Sequence, residues 1–158
     1  MSEFVFINKA RTVAISGHRV LEKDFNKELL TKKLKTFVDN GFDTFLIGMA
    51  LGFDTACFNA LEEIRKEKNI KLIACIPCPS QAYKFTVAQK KEYDRMLSVS
   101  DEKILISESY TPTCMMKRNK FMVDNATGLF AYYKRDYGGT ANTVKYAIKK
   151  GVPIITFD

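Results

Sequence analysis

Short stretches of apolar and β-branched residues alternate along this chain with longer segments in which apolar residues recur every three or four positions. The first pattern is typical of buried strands and the second of amphipathic helices. Strands are predicted at residues 12–16, 43–48, 70–76, 103–107, 128–133 and 153–157. Helices are predicted at residues 24–40, 54–66, 81–98 and 114–125, and in the segment that follows Gly139.

This regular alternation predicts an α/β fold, in which each helix connects one strand to a parallel strand. We expect residues 1–158 to form one Rossmann-like domain, with a mainly parallel sheet and helices on both faces. In such sheets, ligands bind beyond the carboxyl ends of the strands, where loops and helix N-termini meet. Functional residues are therefore sought in the loops that follow the strands.

The composition favours a globular protein with an anionic partner. Hydrophobic residues make up 46% of the 158, enough for a core without disulfides, so the four cysteines are expected to be reduced. No signal peptide or apolar stretch of bilayer length is evident, and we expect a soluble cytoplasmic protein with no membrane contact. The net charge of +7 is spread over many segments, so charge alone does not separate a nucleotide from a nucleic acid.

The first candidate loop is "SGHR", which contains Ser16, Gly17, His18 and Arg19 and follows the first strand. Glycine allows close approach of the backbone, and the His and Arg side chains can donate hydrogen bonds to an anion. His18 is the single histidine of the chain. We therefore expect this loop to contact a ligand, with a hydrogen-bonded structural histidine as the alternative.

The second candidate loop is "GMALGFD", which follows the second strand and begins a helix. It lacks the glycine spacing of dinucleotide and P-loop motifs, but we expect Gly48, Met49, Leu51 and Gly52 to lie beside a ligand. Asp54 has two interpretations that the sequence leaves open. It caps the N-terminus of the helix, or it binds a ribose hydroxyl.

Two more candidate sites lie near the C-terminal end of the chain. The helix "CMMKRNKFMVD" carries Arg118 and Asn119 at the boundary of its apolar stripe. The glycine loop "YGGT" precedes the next helix, and its Gly138, Gly139 and Thr140 form a phosphate-binding pattern. Tyr132 stands close enough in sequence to stack on a base.

Other chemistry has little support in the sequence. Cys75 and Cys78 form a CxxC pair, but no second pair or histidine stands at a metal-binding spacing, so neither a metal nor a cofactor is predicted. The segment "QAYKF" is interpreted either as a lid or as a packed loop. Asp54 is the one acidic residue in the glycine loops, and paired carboxylates for acid and base catalysis are missing there.

The four motifs "ISGHR", "GMALGFD", "MMKRNKFMVD" and "YGGT", in this order, resemble the YpsA-like branch of the SLOG superfamily, which includes Smf/DprA and LOG proteins. The resemblance implies a Rossmann-like fold that binds nucleotides or nucleotide-derived ligands at these loops. LOG-type members are phosphoribohydrolases with MxxRKxxM and PGGxGTxxE signatures. Met115, Arg118 and Met122 match the first signature, with Asn119 in place of its lysine.

The second signature is matched only in part. Gly138, Gly139 and Thr140 fit it, but its spacer is absent and no residue corresponds to its catalytic glutamate, since Thr143, Val144 and Lys145 occupy that neighbourhood. This difference favours binding over cleavage.

Three functions are therefore carried forward. The first is binding of a nucleotide-derived ligand, either as a sensor or to sequester an ADP-ribose-like or cyclic-nucleotide signal, as a phage counter-defence protein would. The second is a LOG-type phosphoribohydrolase with Asp54 as its acid or base. The third is single-stranded DNA binding, as in DprA. A homodimer or higher homo-oligomer is left open.

Overall fold

The computed structural model describes residues 5–158, in which six strands and five α-helices alternate. The strands are β1 (Thr12–Gly17), β2 (Thr44–Ile47), β3 (Lys71–Ile76), β4 (Glu102–Leu105), β5 (Gly128–Tyr132) and β6 (Ile154–Thr156). The helices are α1 (Lys27–Asp39), α2 (Phe53–Arg65), α3 (Val87–Val99), α4 (Cys114–Asp124) and α5 (Gly139–Lys150). A 3-10 helix, Lys9–Arg11, precedes β1.

The strands form one sheet in the order β4-β3-β2-β1-β5-β6, and every pairing in it is parallel. The chain therefore starts near the middle, adds strands outward to β4, and then crosses back to place β5 on the other side of β1. The direction of winding reverses between β1 and β5. Such a switch point leaves a crevice at the carboxyl ends of the two strands, because their following connections lead to opposite sides.

The two faces of the sheet are covered by different helices and different side chains. Helices α1, α2 and α3 cover a face rich in aromatic residues, including Phe45, Phe53, Phe58, Phe130 and Phe157. Helices α4 and α5 cover the other face, where alanines such as Ala14, Ala131 and Ala147 allow close packing. The predicted Rossmann-like α/β fold, with helices on both faces of the sheet, is confirmed.

All six strands lie where the sequence predicts them, and two helices begin later than predicted. The first begins at Lys27, because the Asn26 side chain accepts a hydrogen bond from the Leu29 N–H at 3.0 Å and caps it. The third begins at Val87, where Thr86 and Gln89 form a reciprocal capping box. The residues just before that cap form turns. Among residues 5–158, no helix has the length and apolarity that a membrane span requires.

Candidate functional site

A cavity of about 530 Å³ opens at the carboxyl ends of the strands. Its walls come from the segments that follow β1, β2, β3 and β5 and from α2, α4 and the beginning of α5. This is the crevice expected at the switch point between β1 and β5. The cavity has the size of an ordinary small-molecule site.

The end of β1 and the loop after it contribute all four residues of the predicted segment to the cavity wall, namely Ser16, Gly17, His18 and Arg19. The absence of a side chain at Gly17, however, leaves space for another residue of the protein. A Cβ atom at Gly17 would lie 2.4 Å from the ring of Phe53, which packs beneath the loop. The backbone of this loop is fixed from both sides, because the His18 N–H donates to the Tyr132 carbonyl and the His18 carbonyl accepts from the Phe53 N–H, each at 3.1 Å.

The His18 side chain connects the two loops that flank the switch point. Its Nε2 accepts a hydrogen bond from the backbone N–H of Lys134 at 2.8 Å. Burial and then the charge of Arg135 lower the pKa of His18, and both favour the neutral ring. The accepting Nε2 assigns the proton to Nδ1, so the ring retains one donor for a ligand instead of two. The structural interpretation of His18 is therefore confirmed, and its contact with a ligand stays a prediction for a residue that lines the cavity.

The glycines of the loop after β2 support neighbouring parts of the protein. The Gly48 carbonyl accepts hydrogen bonds from Arg118 Nη1 and from Gln81 Nε2, the latter at 2.8 Å, and a Cβ atom at Gly48 would lie 2.9 Å from the guanidinium carbon. Gly52 has a φ of +81°, and a Cβ atom there would lie 2.2 Å from the carbonyl oxygen of Arg19. Both glycines are therefore needed for close packing, whether or not a ligand is bound.

The apolar residues of the same loop point in different directions. Leu51 lines the cavity. Met49 has a φ of +64° and a side chain that is buried in the aromatic core. Of these two predicted contact residues, only Leu51 faces the cavity.

Asp54 lies in the first turn of α2 and faces the cavity. The helix is capped by Gly52, so the alternative that Asp54 is the N-cap is wrong. Its Oδ2 accepts the Ala50 N–H at 3.1 Å, whereas its Oδ1 is buried and has no hydrogen-bond partner among the described residues. Burial raises the pKa of Asp54 to about 6, and the nearby charge of Arg118 opposes this rise only in part.

Arg118 projects from α4, lines the same cavity as Asp54 and is only 5% exposed. Its Nε donates to Asn119 Oδ1 at 2.7 Å, and Nη1 donates to the Gly48 and Cys75 carbonyls. Its Nη2 has only the sulfur of Met115, at 3.9 Å, as a partner in the described chain. Burial lowers the pKa of Arg118.

The charge of this guanidinium is not neutralised by a direct ion pair. None of the ion pairs formed within residues 5–158 includes Arg118, and every hydrogen-bond acceptor that it meets is neutral. A buried cation held in this way is more stable when an anion arrives. Asn119, which also lines the cavity, orients the guanidinium through its Oδ1.

The beginning of α5 forms the opposite wall. Gly138 is the cap with a φ of +97°, and Gly139 and Thr140 line the cavity. The first amide that bonds within the helix is that of Asn142, which donates to the Gly138 carbonyl at 2.9 Å. The preceding N–H groups of the first turn therefore lack helical acceptors. A Cβ atom at Gly139 would meet nothing within 4 Å, so an anion can approach these amides.

Tyr132 does not line the cavity. Its ring stacks on Phe53 with centroids 5.3 Å apart, and its hydroxyl accepts the Glu22 N–H at 3.1 Å. Only 2% of the residue is exposed. The ring is occupied by core packing and is not available to stack on a base.

Seven residues that line the cavity were not among the predicted contact residues, namely Ile15, Val20, Ala50, Gln81, Phe85, Met115 and Arg135. Gln81 donates to the Gly48 carbonyl and accepts from the Tyr93 hydroxyl at 2.9 Å. The segment "QAYKF" is therefore packed through Gln81 and also lines the cavity, whereas its interpretation as a lid stays a prediction. Arg135 lies three positions after the end of β5, and its charge near a strand end was the signal that could have identified it.

Comparison with known proteins supports the relationship that the motifs imply. A family model described as the YspA SLOG family matches residues 13–153. The SPbeta prophage-derived protein YoqJ of Bacillus subtilis (strain 168) is 33% identical over 138 residues, which cover 78% of this chain and 75% of that protein. The UPF0398 protein YpsA of the same organism is 23% identical over 143 residues, covering 82% and 79%.

Solved structures of DNA processing protein A share the fold. The Helicobacter pylori protein, described in connection with its single-stranded DNA binding mode, aligns with a TM-score of 0.70 and 18% identity over 94% of this chain. The Streptococcus pneumoniae protein aligns with a TM-score of 0.55 and 17% identity over 93% of this chain. This chain spans 66% and 59% of those two chains. Because the family model matches residues 13–153 of the 158, the chain belongs to the YpsA-like branch of the SLOG superfamily.

Proposed function

We propose that this protein binds a nucleotide or nucleotide-derived ligand in the cavity and does not cleave it. The observation that carries the proposal is the buried Arg118, whose hydrogen-bond acceptors are all neutral, beside the unpaired oxygen of Asp54. A cation and an acceptor that are both buried without full compensation are stabilised by a polar ligand that brings an acceptor to the first and a donor to the second. Sensing or sequestration of a nucleotide signal is the role that such binding would serve.

The anionic group of the ligand is expected at the beginning of α5. The free N–H groups of that turn and the positive end of its dipole favour a phosphate. Arg19 and Arg135 line the cavity and add positive charge. The half-buried side chains of Leu51 and Phe85 offer an apolar wall for a base.

Binding without cleavage is favoured by the shortage of carboxylates. Asp54 is the one carboxylate among the described residues that line the cavity. On α5, where LOG-type enzymes carry a glutamate, Thr143 is buried and donates to the Gly139 carbonyl at 2.9 Å. Lys145, nearby, points away to the Asp136 carbonyl at 3.0 Å. Stabilising a developing ribosyl cation and activating water usually takes two carboxylates.

The test is to incubate the purified protein with nucleoside monophosphates, ADP-ribose, NAD and cyclic dinucleotides, remove unbound material, denature the protein and chromatograph what is released. Intact ligand in proportion to protein supports the proposal. Free base with ribose phosphate, or no retained ligand from the whole panel, contradicts it.

Charge variants assign the binding to the cavity. Arg118→Met and Arg135→Met should each weaken ligand binding by tenfold or more in calorimetry, because each removes a charge-assisted contact. Arg135 is exposed, so its variant remains informative if loss of the buried Arg118 impairs folding. The matched control is Arg11→Met. Arg11 lies just before β1, is 51% exposed and pairs with Asp43, so the variant removes a cation outside the cavity. Equal affinity in all four proteins would contradict a site in this cavity.

A nucleotide hydrolase is the second candidate, and the raised pKa of Asp54 favours it. A carboxyl group with a pKa of about 6 exchanges protons readily near neutral pH, as a general acid or base must. If release of free base is observed, Asp54→Asn should abolish turnover and retain binding. Full turnover in that variant would exclude Asp54 from the role.

Single-stranded DNA binding is the third candidate, favoured by the structural similarity to the Helicobacter pylori protein and by the net charge of +7. It predicts oligonucleotide affinity that falls steeply with salt, because phosphate contacts release counterions. Oligonucleotide affinity that is weak at low salt would exclude it.

A further inference from the structure

The cavity has a buried polar floor and an exposed outer wall, in which apolar side chains lie beside those of Arg19 and Arg135. Ser16, Asp54 and Arg118 lie in the floor, each less than one-tenth exposed. The outer wall includes Val20, 80% exposed, and Met115, 41% exposed. Because a flat base gains most from apolar contact, it belongs against the outer wall, and the more polar sugar belongs in the floor.

The floor contains an acceptor and a donor that lack full partners. Asp54 Oδ1 is buried without a hydrogen bond, and Arg118 Nη2 has only a distant thioether. The two groups are close enough for each charge to influence the pKa of the other. A hydroxyl group can donate to the carboxylate and accept from the guanidinium at once, whereas an amino group of a base only donates.

We infer that this floor recognises a ribose hydroxyl, so that the cavity prefers ribonucleotide ligands to their deoxyribose counterparts. The inference rests on the proposed nucleotide binding and deepens it, because it names the sugar as the part of the ligand that Asp54 selects. A deoxy ligand leaves the Asp54 oxygen buried and unpaired. Sites built to bond a substrate hydroxyl discriminate strongly against analogues that lack it.

The experiment compares affinities for AMP, ADP and ATP with those for their 2′-deoxy and 3′-deoxy counterparts, using NMR titration of the intact chain. At least one deoxy series is expected to bind tenfold or more weakly than the ribose series. In Asp54→Ala the preference should fall to about twofold or less, because the residue that senses the hydroxyl is gone. The control is Glu63→Ala, which removes a 69% exposed carboxylate from the same helix and should leave the preference unchanged.

The outcomes separate this inference from the proposed function. Equal affinity for ribose and deoxyribose ligands overturns the inference and leaves nucleotide binding intact. A preference that persists in both Asp54→Ala and Asp54→Asn also overturns it, since another residue must then read the hydroxyl. No binding of any of these nucleotides overturns the inference, and failure of the wider panel as well overturns the proposed function.

Discussion

The loop from Gly48 to Gly52 and the loop that leads into α5 at Gly138 and Gly139 look alike in sequence, since each carries two glycines between a strand and a helix. In the structure they differ. The first is filled by the protein itself, because Arg118, Gln81 and the backbone of Arg19 pack against it. The second is open, and a side chain at Gly139 would meet nothing within 4 Å.

A glycine between a strand and a helix therefore has two distinct uses in this protein. In the first loop it allows other protein groups to approach, and in the second it leaves the helix N-terminus accessible to a ligand. Substitution of a glycine in the filled loop should therefore destabilise the protein. Substitution of Gly139 in the open loop should leave the stability nearly unchanged and should weaken ligand binding. Substitutions at Gly52, Gly48 and Gly139 test this division, and a substitution at Asp54 tests the charge beside the filled loop.

The largest effect is expected for Gly52→Ala. Its φ of +81° is unfavourable for alanine, and the new Cβ would meet the backbone of Arg19, which cannot turn aside as a side chain can. We expect a loss of about 3 kcal/mol or more in the free energy of unfolding. Urea unfolding measures it, and a loss below 1 kcal/mol would contradict the packing role of this loop.

Gly48→Ala should follow, with a loss of about 2 kcal/mol. Here the obstacle is the Arg118 guanidinium at 2.9 Å, a side-chain group that can shift but would lose its bonds to the Gly48 and Cys75 carbonyls. Ligand affinity should fall together with stability, because the same cation serves both. Unchanged affinity in a destabilised variant would separate Arg118 from the binding site.

Asp54→Asn is expected to change stability in the opposite direction, by about 1 to 2 kcal/mol at pH 7.5. The folded pKa of about 6 lies above the ordinary value of 3.8, so the contribution of Asp54 to stability is fully present below pH 3.8 and is lost as pH rises through 6. The variant should be more stable than the parent at pH 7.5 and should differ little from it near pH 4. Thermal unfolding at both pH values checks this, and a less stable variant at pH 7.5 would argue against a desolvated carboxylate.

The smallest change in stability is expected for Gly139→Ala, within about 0.5 kcal/mol of the parent. Gly139 has no positive φ and no neighbour within 4 Å of a new Cβ. Ligand affinity should nevertheless decrease, because the methyl group would occupy the approach to the free amides of α5. Gly138→Ala is the contrast within the same loop, because its φ of +97° with an extended ψ of -177° should cost alanine about 1 to 3 kcal/mol. A stability loss at Gly139 as large as those at Gly48 and Gly52 would erase the distinction between the two loops.

The fold could be predicted because its signals are local. Each strand is marked by a short apolar stretch and each helix by its own periodicity, and all six strands appear where those patterns place them. The late start of α3 was missed because the apolar pattern extends to residues before Val87. The capping box of Thr86 sets the N-terminal end of the helix, and the pattern does not reveal it.

The site was only partly predictable, because its roles depend on contacts between distant residues. Each predicted loop contributes residues to the cavity wall, but Gly48, Met49, Gly52 and Gly138 do not line it. No local pattern indicates that Gly48 packs on Arg118, 70 positions away. The same holds for Tyr132, which stands beside a glycine loop in sequence yet packs on Phe53. Assigning such residues needs the sheet order, which local patterns do not contain.

The placement of β5 beside β1 has a consequence for the emergence of this protein from the ribosome. When residues 12–105 have been synthesised, β1 to β4 can pair, but the outer edge of β1 has no partner until residues 128–132 follow. An unpaired edge of this kind invites pairing with other chains. His18 and Lys134 are 116 positions apart, so the hydrogen bond between them forms only after that edge is covered. A nascent chain stalled before β5 would therefore be prone to aggregation, and its cavity would lack the wall that the beginning of α5 forms.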